Sequence, residues 1–241
     1  MTSRRRTAEP TVPADERIIA PFRELGGRLL APPGEVRARL AGVRAFLFDW
    51  DGVFNDGIKR AGVPSGFSEA DAMGTNLLRF GWWLRDGQVP FTGILTGQDN
   101  PAASVLADRE HFQVVYRGFL DKLHALRDLE SRFGIRPEQV CFLFDDVLDL
   151  GVADHCGLRV LVRNGASPLL AGWTERESLC EYATGREGGS HAVREATELL
   201  LGLTDRYEEV VRERSVHSQR YRSYLAERNE GSPLILSPET V

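Results

Sequence analysis

The stretch Phe46-Leu47-Phe48-Asp49-Trp50-Asp51-Gly52-Val53 is an apolar run that breaks into two carboxylates and a glycine. A short apolar run bounded by a turn signal reads as a strand covered on both faces, the usual state of a strand in a parallel sheet. In open parallel sheets the loops beyond the carboxyl ends of the strands form the ligand crevice. Asp49 and Asp51 would stand in that crevice, and Gly52 permits a sharp turn that lets both converge on one point. Asp-Gly is equally a common solvated turn pair. Alone, the motif leaves site and turn both open.

Outward from it, apolar runs at 44–48, 89–95, 113–116, 140–144 and 158–162 alternate with helical patterns at 71–85, 101–109, 120–133, 147–155 and 191–202. That alternation predicts an α/β fold, three-layer and Rossmann-like, with a mainly parallel central sheet. Residues 57–68, with Gly57, Gly62, Pro64 and Gly66, are too few for a cap domain and are expected to project as a small β-hairpin in its place. We expect the main domain over 36–202, preceded by an extension (1–35) and followed by a C-terminal helix and tail (203–241). Residues 1–14 are polar and expected to be disordered. A helix should begin at Asp15, weakened by Pro21 and by Gly26-Gly27, and a shorter one should cover 35–41. Leu203, Tyr207, Val210, Val211, Tyr221, Tyr224 and Leu225 form a partial helical stripe, fitting either a helix laid on the core or an oligomer contact. Residues 229–241 read as a loose tail.

Composition narrows the function classes. Of 241 residues, 42% are apolar and 27% charged, enough for an ordinary core. Thirty Lys+Arg against 35 Asp+Glu give a net charge of −5, which offers no basic footprint for nucleic acid. No apolar run approaches the ~18 residues of a membrane span. The three cysteines, Cys141, Cys156 and Cys180, are spaced neither as a disulfide framework nor as a zinc site, and read as buried thiols. A soluble, cytoplasmic protein is expected. One count stands out: 28 arginines but only two lysines, Lys59 and Lys122.

The other strand ends carry chemistry too. The run 89–95 leads into Thr96-Gly97, a hydroxyl beside a glycine whose N–H can approach an anion. Lys122 opens the helix after the next strand, and a point-charge ammonium suits a phosphate in a confined site. The run 140–144 leads into Asp145-Asp146, with Asp149 close behind, and three such acids call for a hard divalent cation. In order, the strand ends read Asp-x-Asp, Thr, Lys, Asp-Asp. Phosphoacceptor receiver domains use the same ingredients with the acidic pair first and the lysine last, the reverse of the order here.

The order and spacing resemble the haloacid-dehalogenase (HAD) superfamily of phosphohydrolases, within it the cap-less branch of 3-deoxy-D-manno-octulosonate 8-phosphate phosphatases. Four segments carry the likeness: 46–57 down to its trailing Asp56-Gly57, Asp71-Ala72-Met73-Gly74, Tyr116-Arg117-Gly118 with Asp121-Lys122, and Gly188-Gly189-Ser190-His191-Ala192-Val193-Arg194-Glu195. The resemblance implies a phosphatase in which Asp49 is the nucleophile and Asp51 the general acid and base. It implies that Thr96, Gly97 and Lys122 hold the phosphoryl group. Mg²⁺ would bind the Asp49 carboxylate, the Asp51 carbonyl and Asp145, with Asp146 and Asp149 behind them and Asp149 orienting Lys122. It also implies a homotetramer, to which an exposed Phe80, Trp82 and Trp83 cluster would contribute, and a small phosphorylated substrate. Asp71 and Arg194 are substrate-side candidates. Departures from the family pattern are His191 for a glycine, Gln98 for an arginine and Phe144 for a glycine. The last two point to a substrate smaller or less anionic than an octulosonate phosphate, unless Arg60, Arg117 or Arg194 supplies the cation. A non-catalytic relative, which Phe144 favours, and a phosphotransferase or mutase remain as alternatives.

Overall fold

Ala45–Phe48 lies at the centre of an eight-stranded sheet in the computed structural model, which describes residues 13–241. The strands are β1 (Arg28–Leu29), β2 (Ala45–Phe48), β3 (Phe91–Thr96), β4 (Val114–Arg117), β5 (Val140–Phe144), β6 (Leu158–Leu161), β7 (Tyr182–Ala183) and β8 (Leu234–Leu236). Their spatial order is β1-β7-β6-β5-β2-β3-β4-β8, and every pair is parallel except β1 with β7. The chain runs outward from β2 through β3 and β4, then returns to β5 on the other side of β2. The switch point therefore falls at β2, which is where open α/β sheets bind ligands.

The helices are α1 (Ala14–Glu24), α2 (Pro33–Gly42), α3 (Glu69–Asp86), α4 (Pro101–Glu110), α5 (Lys122–Phe133), α6 (Leu150–Ala153), α7 (Pro168–Arg176), α8 (Ala192–Leu203), α9 (Tyr207–Ser215) and α10 (Gln219–Arg228). Alternation along the strands sorts the core into two layers. Phe46, Phe48, Cys141 and Leu143 pack with α1–α4 and α8–α10, whereas Ala45, Leu47, Val140, Phe142 and Phe144 pack with α5–α7. All three cysteines are buried and unbridged. No helix among the described residues is long and apolar enough to cross a membrane.

Several expectations are corrected. The 57–68 insert is an irregular loop with one bridge, Arg60 to Val63, rather than a hairpin ladder. Its glycines and Pro64 favour turns over the paired backbone that a ladder needs. The supposed tail contains β8, where Leu234-Ile235-Leu236 pairs in parallel with β4. The helix expected from Asp15 is present as α1, with Pro21 in its last turn. The predicted helix at 147–155 is a 3₁₀ turn (Val147–Asp149) leading into α6. Phe80 and Trp82 are fully buried and Trp83 partly so: Phe80 meets Tyr221 and Tyr224 of α10 at centroid distances of 5.1 and 5.2 Å, and Trp83 Nε1 donates to Glu227 at 2.7 Å. The C-terminal stripe thus lies on the core and covers the aromatic cluster that had been expected to face a partner. Of residues 1–14, expected to be disordered, 1–12 lie outside the described residues and Ala14 already opens α1.

Candidate active site

The ladder of β2 continues one residue past the strand, because Asp49 N–H donates to Leu143 C=O at 2.9 Å. This fixes Asp49 at the mouth of the sheet, nearly buried, while Trp50, Val53 and Phe54 anchor the following turn in the core. Lys122 begins α5, whose N-terminus is capped by the Asp121 carboxylate accepting from Leu123 N–H. Its buried ammonium donates to Asp49 Oδ1 at 2.7 Å and to Asp149 Oδ1 at 2.5 Å. Asp149 Oδ2 accepts from Asp146 N–H at 3.2 Å. Oxygens of Asp49, Asp145 and Asp149 lie within 4.8 Å of one another, and Asp145 Oδ1 is buried with no hydrogen-bond partner.

Glycine is required where this cluster meets the turn that follows β2. Gly52 has φ +81°, and a Cβ there would fall 1.9 Å from Asp145 Oδ2. Gly188 packs on the same turn, with its missing Cβ 2.0 Å from the Gly52 carbonyl oxygen. The paired glycines at 188–189 therefore close the turn from outside.

The electrostatics follow from burial and crowding. Burial, helped by the Asp49 and Asp149 charges, pushes the Asp145 carboxyl up to about 9. Burial and Asp49 likewise raise Asp149, to about 7, against the pull of Lys122. For Lys122 burial works downward, but Asp49 and Asp149 outweigh it and hold the ammonium above its ordinary range. Asp51 differs: burial raises it, yet hydrogen bonds from Lys59 and Asn100 leave it below the usual carboxylate range. A cluster that retains protons at neutral pH is short of positive charge.

A cavity of about 250 Å³ opens over this cluster, lined by Asp49, Asp51, Thr96, Gly97, Gln98, Lys122, Asp145, Asp146 and Asp149 among others. Larger clefts, including one of about 640 Å³ among α1, α8 and α9, contain no comparable convergence of acids on a buried lysine. Asp146 is exposed at the rim and caps the 3₁₀ turn through Val147 N–H. Three predicted residues belong elsewhere. Phe144 is fully buried against Phe142 on the α5 side, because strand alternation turns its side chain into the core while the next residue enters the site. Asp71 is fully buried and accepts from Ser68 Oγ and from Arg194 N–H, joining α3 to α8. The Arg194 side chain pairs with Glu198, and Arg117 pairs with Asp99 at 3.1 Å. Phe144 therefore no longer argues for a non-catalytic relative. Two site residues had no assigned role in the sequence: Lys59, which donates to Asp51 Oδ2, and Asn100, which bridges Asp51 Oδ2 and Thr96 Oγ1 at 2.9 Å each. The rarity of lysine pointed toward Lys59, whereas nothing marked Asn100.

No family model matches the chain. Among curated proteins, the 3-deoxy-D-manno-octulosonate 8-phosphate phosphatase KdsC of Yersinia pestis is 32% identical over 182 residues, covering 72% of this chain and 88% of that protein. The chain belongs to the KdsC-like phosphatases of the HAD superfamily. The crystal structure of the Yersinia pestis phosphatase superposes with a TM-score of 0.58 over 72% of this chain and 89% of its own. The Moraxella catarrhalis phosphatase, solved in complex with magnesium, phosphate and KDO, shares the fold at 24% identity, with a TM-score of 0.62 over 74% of this chain and 97% of its own. This KdsC-like protein is accordingly an enzyme, a phosphatase.

Proposed function

We propose that the protein is a magnesium-dependent phosphomonoester hydrolase for a small sugar phosphate, acting through a phosphorylated Asp49. The observation that carries this reading is the buried Lys122 bound to Asp49 beside an Asp145 oxygen that has no partner. Asp49 and Asp145 offer clustered carboxylate oxygens, to which the family resemblance adds the Asp51 carbonyl, a donor set of the kind a hard cation prefers, and Asp145's retained proton marks the charge that such a cation would replace. When bound there, Mg²⁺ supplies charge neutralisation for the anionic phosphoryl group.

The chain's own residues do the rest. Asp49 attacks phosphorus in line, its carboxylate fixed by the ladder bond to Leu143 and by the Lys122 ammonium. Thr96 Oγ1, Gly97 N–H and Lys122 hold the phosphoryl oxygens. Asp51 protonates the departing oxygen and then takes a proton from the water that hydrolyses the aspartyl phosphate. Asp149 keeps Lys122 in place from behind. The octulosonate 8-phosphate on which the related phosphatases act supports a substrate among phosphorylated sugars and sugar acids. Gln98 at the cavity rim favours one less anionic than the octulosonate ester. Assembly as a homotetramer rests on the family resemblance alone, and light scattering that shows a monomer overturns it.

A panel of sugar and sugar-acid phosphates assayed for phosphate release with Mg²⁺, with chelator and in Asp49→Asn tests the proposal. Turnover should need the metal and vanish in Asp49→Asn, and substantial release by that variant would sink the covalent mechanism.

A further inference from the structure

Twenty-eight of the chain's thirty cations are arginines, and both lysines end on carboxylates of one site. Lys122 reaches Asp49 from the N-terminus of α5. Lys59 reaches Asp51 from the 57–68 insert, which otherwise stands largely exposed. An exposed ion pair of this kind adds little to stability, so stability does not account for a lysine there.

The geometry on Asp51 is one-sided. Lys59 Nζ and Asn100 Nδ2 both donate to Oδ2, the latter at 2.9 Å. Asn100 is itself fixed to Thr96 Oγ1, and Lys59 also lies 3.4 Å from Ser65 Oγ within the insert. Oδ1 is buried and has no hydrogen-bond partner. A carboxylate turns easily about its last torsion, where the two oxygens are interchangeable. Two donors on one oxygen remove that freedom and keep the other oxygen uncommitted.

Resting on the reading above, we propose that Lys59 is a positioning residue: with Asn100 it clamps Asp51 Oδ2 and so holds the acid–base carboxylate in one orientation beside the cavity. The choice of lysine follows from the same geometry. A guanidinium forks across both oxygens of a carboxylate and would turn it out of the orientation it shares with Asn100, whereas an ammonium holds a single oxygen as a point charge. The insert thereby does for the acid–base carboxylate what α5 does for the nucleophile.

The test compares two esters with magnesium present: the best sugar phosphate of the panel, whose alkoxide must be protonated as it leaves, and p-nitrophenyl phosphate, whose phenolate need not be. In Lys59→Met, kcat on the sugar phosphate should fall about 10- to 100-fold, part of what general acid catalysis provides. KM and the aryl ester should be little changed. Lys59→Arg should restore the hold on the insert without restoring the alkyl reaction. Equal loss on both esters, or a raised KM with intact kcat, overturns the proposal, the second because it makes Lys59 a substrate contact. Hydrogen exchange across residues 57–66 provides a readout independent of turnover. It should rise in Lys59→Met and Asp51→Asn, and stay at the wild-type level in Asp49→Asn and Lys59→Arg. No rise in Lys59→Met means that the clamp is not formed, and the proposal falls. Turnover by Asp49→Asn would remove the covalent mechanism and leave the exchange result standing.

Discussion

Asp145→Asn should make the metal-free protein more stable than wild type and the magnesium-loaded protein less stable. Oxygens of Asp49, Asp145 and Asp149 lie within 4.8 Å of one another. Two unit charges at that distance repel by about 3.5 kcal/mol at an effective dielectric constant of about 20. Lys122 offsets part of this on Asp49 and Asp149, but makes no hydrogen bond to Asp145. Without a metal, the folded wild type escapes the repulsion only by keeping a proton on Asp145, whose carboxyl burial pushes from 3.8 up to about 9. The folded form holds that proton while the unfolded chain releases it, so wild-type stability falls as pH rises from about 4 to about 9 and levels off above that. The amide has no proton to lose. Its advantage should therefore grow through the same window and reach about 1–3 kcal/mol, allowing for the Lys122 offset.

For a chain of this length each kcal/mol moves the melting temperature by about 2–4 °C, so the metal-free variant should melt about 3–10 °C higher at mildly alkaline pH. Magnesium reverses the order. At about a hundred times its dissociation constant a ligand adds about 2.7 kcal/mol to the form that binds it, and an amide in place of a ligand carboxylate should forfeit most of that gain. Thermal unfolding of both proteins, in chelator and in saturating magnesium chloride across pH, measures the crossing. A variant no more stable than wild type in chelator, or one that gains as much from magnesium, would refute the placement of Asp145 as the carboxylate awaiting a cation.

Phe144→Ala should cost about 3–5 kcal/mol, because it empties a buried aromatic site. It should leave the ranking of sugar phosphates unchanged, and a changed ranking would return Phe144 to the active site. His191 has φ +73° at the start of α8, a region costly for any residue but glycine, and its ring meets Ser68 Oγ at 3.1 Å. His191→Gly should therefore stabilise by up to about 1 kcal/mol net of that lost contact, and a lower melting temperature would show that the contact outweighs the backbone strain.

What could be read from the sequence was what period and punctuation encode. Phe46-Leu47-Phe48 followed by Asp-x-Asp marked the central strand and the carboxylates at its end. Thr96 and Asp145 stood at strand ends and Lys122 at a helix start, where neighbouring apolar runs set the register. Elements of two or three residues carried no period. Tyr182–Ala183 is strand because it adds to β6, Arg28–Leu29 because it then adds to Tyr182–Ala183 at the sheet edge, and Leu234–Leu236 is strand because β4 lacked a neighbour on that side. Side-chain direction was the second loss. Phe144 and Asp145 are adjacent, yet one faces the core and the other the cavity, so a departure from a family pattern at 144 was misread as a change in the site. Asp71 was a carboxylate in a matching segment, and only the contact with Arg194 N–H shows it capping α8. Lys59 and Asn100 act through tertiary contacts spanning 8 and 49 residues, which no local pattern carries.

With Phe144 removed from the site, Gln98 alone carries the case for a less anionic substrate, and it can be tested directly. Gln98 is exposed at the rim of the cavity, two residues beyond Thr96, and its backbone N–H donates to Thr96 Oγ1 at 3.3 Å. Of the cations named above, Arg117 is engaged with Asp99, Lys59 with Asp51, and Lys122 with Asp49 and Asp149. Arg194 lies on Glu198, whereas Arg60, exposed on the insert beside Lys59, makes no salt bridge with any described residue. A carboxylate on the sugar would have to draw one of the paired cations away, recruit Arg60 or meet a neutral amide. Gln98→Arg places a guanidinium at the rim, able to pair with a carboxylate through two parallel hydrogen bonds. A charged hydrogen bond contributes about 1.5–3 kcal/mol, so kcat/KM for a sugar-acid phosphate relative to a neutral sugar phosphate should rise about 10- to 100-fold. If wild type already prefers the sugar acid and Gln98→Arg leaves the ratio where it was, the carboxylate is read from another direction. Arg117 then becomes the group to change, because its partner Asp99 is largely exposed and such a pair is easily redirected.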